Sequence, residues 1–251
     1  AKARLFEAPG LAAAVLNLDD PFGAHLAQRL AARGVRTIGY GLSRSSFVAS
    51  DFLFATIEKN NLVKIESSWG SAEASIPQLG RFNVANALGV LGCLMAKGIA
   101  FDEGARLLEA LPQVAGRMQR IGDRPLVVVD YAHTPDALDK VLSALKPVAQ
   151  ARGGRLVAVF GAGGGRDKAK RPVMGSVAAA CADRIVLTSD NPRGEDPQAI
   201  IEAIRDGIGN VGGGCVVEID RAKAIDSAIG SAAAADVVLI AGKGHESFQE
   251  I

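Results

Sequence analysis

The sequence has few of the residues that would indicate a disulfide-stabilised, membrane-spanning or nucleic-acid-binding protein. Its three cysteines, Cys93, Cys181 and Cys215, are far apart and form no C-x-x-C pair. No apolar run approaches the ~20 residues that are needed to span a bilayer. The formal net charge is only +1, which gives no reason to expect a nucleic-acid or anionic-membrane surface. We therefore expect a cytoplasmic protein with buried free thiols, and with neither nucleic acid nor a membrane as partner.

Two nucleotide-binding motifs are also missing. The chain contains no G-x-x-x-x-G-K-[ST] phosphate loop, and the glycine-rich stretch FGAGGGRDKAKRP (160–172) has Arg166 where a dinucleotide fingerprint needs its third glycine. A glycine-rich loop followed by cations is still suited to anionic groups, although a structural turn beside a solvated basic helix is an equally good interpretation. A nucleotide-dependent oxidoreductase therefore stays only as an alternative hypothesis.

The first part of the chain has mixed strand and helix patterns. At 251 residues, the protein is long enough for one large or two medium domains. SSWGS (67–71) is typical of a hairpin turn. The apolar patterns predict strands near 15–18, 35–40, 46–57, 62–68 and 71–77, and helices near 21–33, 82–98 and 102–111.

From Leu126 onward, short apolar runs are separated by room for helices. The runs are LVVVD, RLVAVF, RIVLTSD, CVVEID and DVVLIAG. Thr134-Pro135 and Asp196-Pro197 each supply a helix N-cap followed by proline at the first helical position. This pattern predicts an α/β fold in which 115–251 form a doubly wound, Rossmann-like parallel sheet covered on both faces. We interpret 1–114 as a separate α/β domain.

The polar loops of this second part follow the predicted strands. Ligands of doubly wound sheets bind outside the carboxyl ends of the strands, and four loops there carry polar residues: 130–133, 161–170, 188–193 and 242–246. Asp130 could accept hydrogen bonds from ribose hydroxyls, while a metal site in the D-x-x-H-x-x-D spacing is a weaker alternative. Glu246 is free to bind an amine or to face water.

Two further motifs have both a functional and a structural interpretation. In TSDNPRGEDP (188–197), Arg193 follows Pro192, and a proline-stiffened arginine is suited to gripping a carboxylate, although this is also a common surface loop. In GRFNVAN (80–86), Asn83 and Asn86 are three residues apart at a helix start and therefore share a face. Capping of the helix by Asn83 is the structural alternative.

Taken together, these motifs resemble a known family. GRFNVAN, GRMQ, VVVDYAHTPDAL, GGGRDKAKRPVMG, SDNPRGEDP and AGKGHE, in this order, resemble the Mur ligases of peptidoglycan synthesis over essentially the whole chain. The resemblance implies that 1–114 are the C-terminal part of a central ATP-binding domain and that 115–251 bind the incoming amino acid. Because AKARLFEAPG starts without Met and the family's phosphate loop is missing, we expect a fragment that lacks the N-terminal domain and is inactive by itself.

The resemblance also implies roles for individual residues. Lys2 would carry a carbamate that helps to position Mg²⁺ and the γ-phosphate of ATP, and Arg117 would reach the same phosphate. The residues that match the family's ATP-binding positions are Asn83, Asn86, Asp130 and His133. The residues that match its diaminopimelate pocket are Arg166, Asp190, Asn191, Pro192, Arg193, Gly242 and Glu246.

The implied reaction is the ATP- and Mg²⁺-dependent addition of meso-diaminopimelate to the D-Glu γ-carboxylate of UDP-MurNAc-L-Ala-D-Glu through an acyl phosphate. Cations would stabilise the charge that develops on the phosphoryl oxygens and the tetrahedral intermediate. The partners would be these two small-molecule substrates, and we expect a monomer. A module that only binds the amino acid is the remaining alternative.

Arg193 would explain the choice of amino acid. Diaminopimelate differs from lysine by one distal carboxylate, which a guanidinium can bind through two hydrogen bonds worth roughly 1.5–3 kcal/mol each. Lysine would leave an enclosed arginine without a partner. The resemblance therefore implies that Arg193 is enclosed in the amino-acid pocket.

Overall fold

The computed structural model describes residues 2–44, 49–58, 62–209 and 214–250. They form two compact units, residues 1–112 and 113–251, each with its own sheet. The side chain of Lys2 lies outside the described part of the chain, and so do residues 46–48 of the predicted strand 46–57.

The first unit has a five-stranded sheet with helices. Its elements are a short 3-10 helix Lys2–Glu7, β1 Ala13–Asn17, α1 Pro21–Ala31, β2 Arg36–Gly41, β3 Asp51–Ile57, β4 Leu62–Ser67, β5 Gly70–Ser75, α2 Arg81–Ala96 and α3 Phe101–Glu109. The strands lie in chain order. β1, β2 and β3 run parallel to one another, β4 is antiparallel to β3, and β5 is antiparallel to β4. The predicted turn at SSWGS connects β4 to β5, and the predicted helices are present.

Alternate side chains of β1 supply two cores in this unit. Leu16 packs with Leu26 and Leu30 of α1, while the neighbouring Val15 packs with the residues of α2 and α3. The helix α1 begins where the Asp20 carboxylate accepts a hydrogen bond from a backbone amide of the first turn at 2.9 Å. The sheet is therefore covered on both faces, as an α/β arrangement requires.

The second unit has a six-stranded, mostly parallel sheet. Its elements are β6 Gln119–Asp123, β7 Leu126–Asp130, α4 Pro135–Ala151, β8 Leu156–Phe160, α5 Lys170–Cys181, β9 Arg184–Leu187, α6 Pro197–Arg205, β10 Cys215–Val217, α7 Arg221–Gly230 and β11 Val237–Ala241. The strand order is β10-β9-β8-β11-β7-β6, and β6 alone of these strands is antiparallel to its neighbour. The predicted doubly wound α/β fold is confirmed.

The core of the second unit lies on both faces of this sheet. Val157 and Val159 of β8 pack under α7, whereas their neighbours Leu156 and Ala158 point to the other face, which α4 covers. Burying an aliphatic side chain of this size stabilises the fold by about 1.5–3 kcal/mol. The near-continuous apolar runs of the sequence are thus explained by burial on both faces.

Local sequence signals predict two helix starts of the second unit but miss one helix cap and one strand. Thr134 and Asp196 cap α4 and α6 as predicted, through hydrogen bonds of 3.3 and 3.0 Å to backbone amides. Asp220 caps α7 in the same way and was not predicted. The strand β6 was also missed, because QRIGD contains a single apolar residue and lies exposed at the sheet edge.

The cysteine prediction is half right. The three thiols are free, but Cys93 is exposed and the other two are only half-buried, so the expected burial is wrong. Position 93 lies on the side of α2 opposite to the buried Leu91 and Met95. Among the described residues, no helix has the length and apolar character to cross a membrane.

Candidate functional site

The predicted polar loops of the second unit meet at one edge of its sheet. They follow β7, β8, β9 and β11, which are parallel and lie side by side in the order β9-β8-β11-β7. We call this the carboxyl edge. It brings together the loops 130–133, 161–170, 188–193 and 242–246, as expected for a ligand site in a doubly wound sheet.

Asp130 shapes the first of these loops. The residue is only 6% exposed. Its two carboxylate oxygens accept hydrogen bonds from the backbone amides of Met118 and Ala132, both at 2.8 Å. Met118 has a φ of +47°, and the hydrogen bond to Asp130 holds this unusual conformation. The carboxylate therefore has a structural role that was not predicted, and its contact with ATP stays a prediction.

Tyr131 lies at the centre of a group of polar side chains that we call the Tyr131 cluster. The Arg117 guanidinium carbon lies 4.8 Å from the centroid of the Tyr131 ring, within cation–π range. The ring centroids of His133 and His245 lie 4.8 and 5.7 Å from the centroid of the Tyr131 ring. The Tyr131 hydroxyl donates to Glu246 Oε1 at 3.3 Å. The cluster thus joins Arg117 and Glu246, for which the sequence implied roles toward different substrates. Tyr131 itself was not among the predicted site residues.

The glycine-rich loop packs directly against the loop that follows β9. Gly164 donates its amide hydrogen to Asn191 O at 2.9 Å, and a Cβ on Gly164 would lie 1.7 Å from Pro192 O. A Cβ on Gly161 would lie 2.1 Å from Thr188 O. The glycines are therefore needed for loop packing. The structural interpretation of this motif is supported, while the exposed Arg166 beyond it remains available to a ligand.

Arg193 does not lie in an enclosed pocket. The residue is exposed and has a φ of +47°, and its Nη1 donates to Gly164 O at 3.3 Å. Because the residue is exposed, the prediction of an enclosed arginine is wrong. A ligand without a distal carboxylate would leave a solvated cation, and the expected discrimination against lysine is correspondingly smaller.

Asn191 and Lys243 connect the loops that follow β9 and β11. Asn191 is 1% exposed, and its Oδ1 accepts hydrogen bonds from Lys243 Nζ and from the amide of Glu250, both at 2.9 Å. Lys243 Nζ also lies 3.4 Å from Glu246 Oε2. The amide oxygen of Asn191 is thus used within the protein. Lys243 was not predicted, although it stands between the two glycines of AGKGHE.

Asp190 and Gly242 are neighbours across the same two loops. Asp190 Oδ1 accepts from the amide of Asn191 at 2.6 Å. A Cβ on Gly242 would lie 3.0 Å from Asp190 Oδ2, and the φ of Gly242 is +116°. The φ of Gly242 favours glycine at this position, and any larger residue would also have to displace the Asp190 carboxylate slightly.

An ion pair between the buried Arg171 and the half-buried Glu195 holds the far side of the carboxyl edge. Arg171, 3% exposed, donates to both oxygens of Glu195 at 3.0 and 2.9 Å. Glu195 Oε1 also accepts from the Gly165 amide at 2.7 Å. The hydrogen bonds from Arg171 and then from Gly165 lower the pKa of Glu195 to about 2. The pair therefore fixes the glycine-rich loop to the loop that follows β9, a role that no local pattern indicated.

A cavity of about 750 Å³ lies beside the carboxyl edge. Arg221, Lys243, Phe248 and Glu246 contribute to its walls. Glu246 belongs to the predicted diaminopimelate residues, whereas Arg193 lies outside the cavity. Arg221 was not predicted as a site residue.

The two asparagines of the first unit lie in the first two turns of α2. Asn83 Nδ2 donates to Leu79 O at 2.7 Å, and Asn86 Nδ2 donates to Asn83 Oδ1 at 3.4 Å, so they share a face as predicted. The N-cap of α2 is Gly80, and the alternative in which Asn83 caps the helix is therefore wrong. Asn86 is exposed, and its contact with ATP stays a prediction.

The described residues offer no metal site. Among residues 2–44, 49–58, 62–209 and 214–250, no three His, Cys, Asp or Glu side chains form a group that could hold a metal ion. The alternative metal site at Asp130, His133 and Asp136 is therefore wrong, because Asp130 is turned toward backbone amides. The predicted Mg²⁺ ligand, a carbamate on Lys2, lies outside the described part of the chain.

Comparison with known families defines the class of the protein. A profile of the Mur ligase middle domain matches residues 1–94, and a profile of the Mur ligase glutamate ligase domain matches residues 116–244. The chain therefore belongs to the Mur ligase family.

Curated relatives show to which members of the family the chain is similar. The chain is 48% identical over 260 residues to the UDP-N-acetylmuramoyl-L-alanyl-D-glutamate–2,6-diaminopimelate ligase of Ralstonia nicotianae, and 44% identical over 257 residues to that of Coxiella burnetii. The alignments cover 100% of this chain and 50% and 52% of those proteins. The chain thus spans about half the length of the curated relatives it matches.

Solved structures agree with this fold. A UDP-N-acetylmuramoyl-L-alanyl-D-glutamate–2,6-diaminopimelate ligase is 38% identical, with a TM-score of 0.67 over 100% of this chain and 51% of its own. A folylpolyglutamate synthase/dihydrofolate synthase from Yersinia pestis, solved with AMPPNP and Mn, has a TM-score of 0.65 over 93% of this chain and 50% of its own. At 20% identity, the latter shows the fold alone.

Proposed function

We propose that this chain is the ATP- and amino-acid-binding part of a ligase that adds meso-diaminopimelate to the D-Glu γ-carboxylate of UDP-MurNAc-L-Ala-D-Glu. In this proposal, 1–114 are the C-terminal part of an ATP-binding domain and 115–251 bind the amino acid. The names of the relatives support the substrates, and the family supports ATP as the source of energy.

The observation that carries the proposal is the Tyr131 cluster. In an amide ligase that works through an acyl phosphate, the phosphoryl group and the attacking amine must meet within a few ångströms. Arg117, which we assign to the γ-phosphate, and Glu246, which we assign to the amine, contact the same tyrosine from two segments of the chain. The cluster therefore supports a reaction that joins a phosphorylated carboxylate to an amino acid.

The charges of the carboxyl edge suit a zwitterionic amino acid with two carboxylates. The exposed cations Arg166 and Arg193 are proposed to bind its carboxylates, and Glu246 to accept a hydrogen bond from its ammonium group. Asp190 and Gly242 are proposed to line the same pocket, with Asn191 and Pro192 holding the loop.

The proposed ATP-binding residues are Asn83, Asn86, Asp130 and His133. The amide groups of the two asparagines match the donors and acceptors of an adenine edge. The Lys2 carbamate remains the proposed Mg²⁺ ligand; when bound, Mg²⁺ would neutralise phosphoryl charge. Among the described residues, no group of three or more His, Cys, Asp or Glu side chains could hold the ion.

The proposed chemistry has two steps. ATP transfers its γ-phosphoryl group to the D-Glu γ-carboxylate and leaves as ADP. An ammonium group of diaminopimelate loses a proton to solvent, and the neutral amine then attacks the acyl carbon, gives up a second proton and releases phosphate. Arg117 is proposed to stabilise the negative charge that develops on the phosphoryl oxygens. Glu246, held by the Tyr131 hydroxyl and by Lys243, is proposed to orient the amine before it attacks.

The test is an assay of the complete ligase with UDP-MurNAc-L-Ala-D-Glu, ATP and Mg²⁺, in which meso-diaminopimelate and L-lysine compete. We expect diaminopimelate to be the amino acid incorporated. Arg193→Ala should raise the KM for diaminopimelate at least tenfold, which corresponds to ~1.4 kcal/mol. Arg205→Ala is the matched control, since Arg205 is an exposed arginine that pairs with Glu202 at the end of α6. Preferred incorporation of lysine would refute the proposed substrate, and an unchanged KM would remove Arg193 from the pocket.

The alternative that the chain is only a binding module makes a different prediction. Calorimetry of the 251-residue chain with meso-diaminopimelate and no ATP measures amino-acid binding alone. If binding is found while the complete ligase forms no product, the module is supported over the ligase.

A further inference from the structure

Arg221 is an unexpected residue at its position. It is the first residue of α7, where the helix dipole disfavours a cation, and it is 9% exposed, although arginine is rarely buried. Burial lowers its pKa, and the charges of Asp190 and Glu246 act in the opposite direction. The contacts of Arg221 must therefore explain why a buried cation lies at the start of this helix.

The contacts of Arg221 join two strands that do not touch. Its Nη1 donates to Ser189 O at 3.3 Å and its Nη2 to Ala241 O at 2.9 Å. Ala241 is the last residue of β11, and Ser189 follows β9 by two residues. In the sheet, β8 lies between β9 and β11 and pairs with both, so these two chain segments are not paired with each other, and beyond the end of β8 the guanidinium of Arg221 connects them directly.

Both carbonyl groups immediately precede proposed ligand-binding residues. Asp190 follows Ser189, and Gly242 follows Ala241, so the guanidinium fixes the backbone at the root of both loops. A planar guanidinium with several donors in a fixed fork can hold two carbonyls at a set separation, which a single ammonium cannot do equally well. The bond from Lys243 Nζ to Asn191 Oδ1 joins the same loops farther out.

We propose that Arg221 is a positioning residue that sets the separation of the loops 188–193 and 242–246 and thereby the affinity for the amino-acid substrate. This inference rests on the proposed function, because it assigns these two loops to the amino acid. Arg221 can act in this way without contacting the substrate.

The test compares Arg221→Lys and Arg221→Gln in the complete ligase, with Lys223→Gln as the control on the exposed side of the same helix. We expect Arg221→Gln to raise the KM for diaminopimelate at least tenfold and Arg221→Lys to raise it less, with the KM for ATP within twofold of wild type. A merely structural role would reduce the folded fraction and hence the apparent kcat, and would leave both KM values unchanged. If Arg221→Gln does not fold, Arg221→Lys carries the test.

A diaminopimelate KM within twofold of wild type in a folded Arg221 variant would overturn the inference. A second readout needs no substrate: Arg221→Lys in the 251-residue chain should shift the amide NMR resonances of Asp190 and Gly242, and Lys223→Gln should not. Unshifted resonances would also overturn it. A wild-type ligase that forms no product would refute the proposed function instead, because the NMR result does not depend on that reaction.

Discussion

The packing of Gly164 against Pro192 makes a strong prediction about stability. In Gly164→Ala, the new Cβ would lie 1.7 Å from Pro192 O, whereas such contacts essentially never fall under 3.0 Å. Because the neighbour is backbone and not a flexible side chain, one of the two loops must move. Overpacking of this kind typically costs 1–3 kcal/mol, while alanine gains roughly 0.4–1 kcal/mol by restricting the unfolded chain. We expect a net loss of about 1–2 kcal/mol in the free energy of unfolding.

Gly230→Ala is the matched control. Gly230 is the last residue of α7, its φ is not in the left-handed region, and a Cβ there would meet nothing within 4 Å. The same substitution should therefore stabilise the protein by up to ~1 kcal/mol, because alanine favours a helix over glycine.

The assay is urea unfolding of the 251-residue chain, followed by far-UV circular dichroism and by the fluorescence of Trp69. Trp69 is the single tryptophan of the chain and lies in the first unit. Its fluorescence therefore reports the unfolding of the first unit, which does not contain position 164. If Gly164→Ala is as stable as Gly230→Ala, the close packing of the two loops is refuted. In the complete ligase, the displaced loop should also raise the KM for diaminopimelate by ~10-fold or more.

Three further predictions concern polar groups that hold the loops of the carboxyl edge. Hydrogen bonds from Arg171 lower the pKa of Glu195 from 4.5 to about 2, so the stabilisation is complete above pH 4.5 and is lost as the pH falls toward 2. The unfolding free energy of Glu195→Gln, measured with urea, should therefore vary less over this pH range than that of wild type; parallel curves would contradict the ion pair. Asp130→Asn should cost about 1–3 kcal/mol, since one of two backbone amides loses its acceptor, and equal hydrogen-exchange protection of those amides would argue against it. Lys243→Met should lower the thermal unfolding temperature, because Asn191 Oδ1 loses a buried donor, and an unchanged temperature would show that the bond is not formed.

The sequence predicted the location of the site more completely than its internal contacts. Strands that alternate with helices must be parallel, so the polar loops that follow β7, β8, β9 and β11 were expected at one edge. Thr134-Pro135 and Asp196-Pro197 marked two helix starts because capping depends on neighbouring residues alone. These are local signals, and a single sequence contains them.

The missed features depend on residues that are distant along the chain. The bond between Lys243 and Asn191 joins positions 52 residues apart, and nothing near either residue indicates the other. Arg193 was expected to be enclosed because its charge suited a pocket, but a φ of +47° in a non-glycine residue is decided by the surrounding loops. Tyr131 was overlooked as a site residue because its partner Glu246 lies 115 positions further along the chain.

The position of β11 also has a consequence for synthesis of the protein. This strand pairs with β7 on one side and β8 on the other, and those two strands reach each other only through it. A nascent chain on the ribosome can therefore form β6–β7 and β8–β10 as separate ribbons with open edges, but it cannot unite them before residues 237–241 have emerged. Partial synthesis products that stop short of this strand should be the forms most in need of a chaperone.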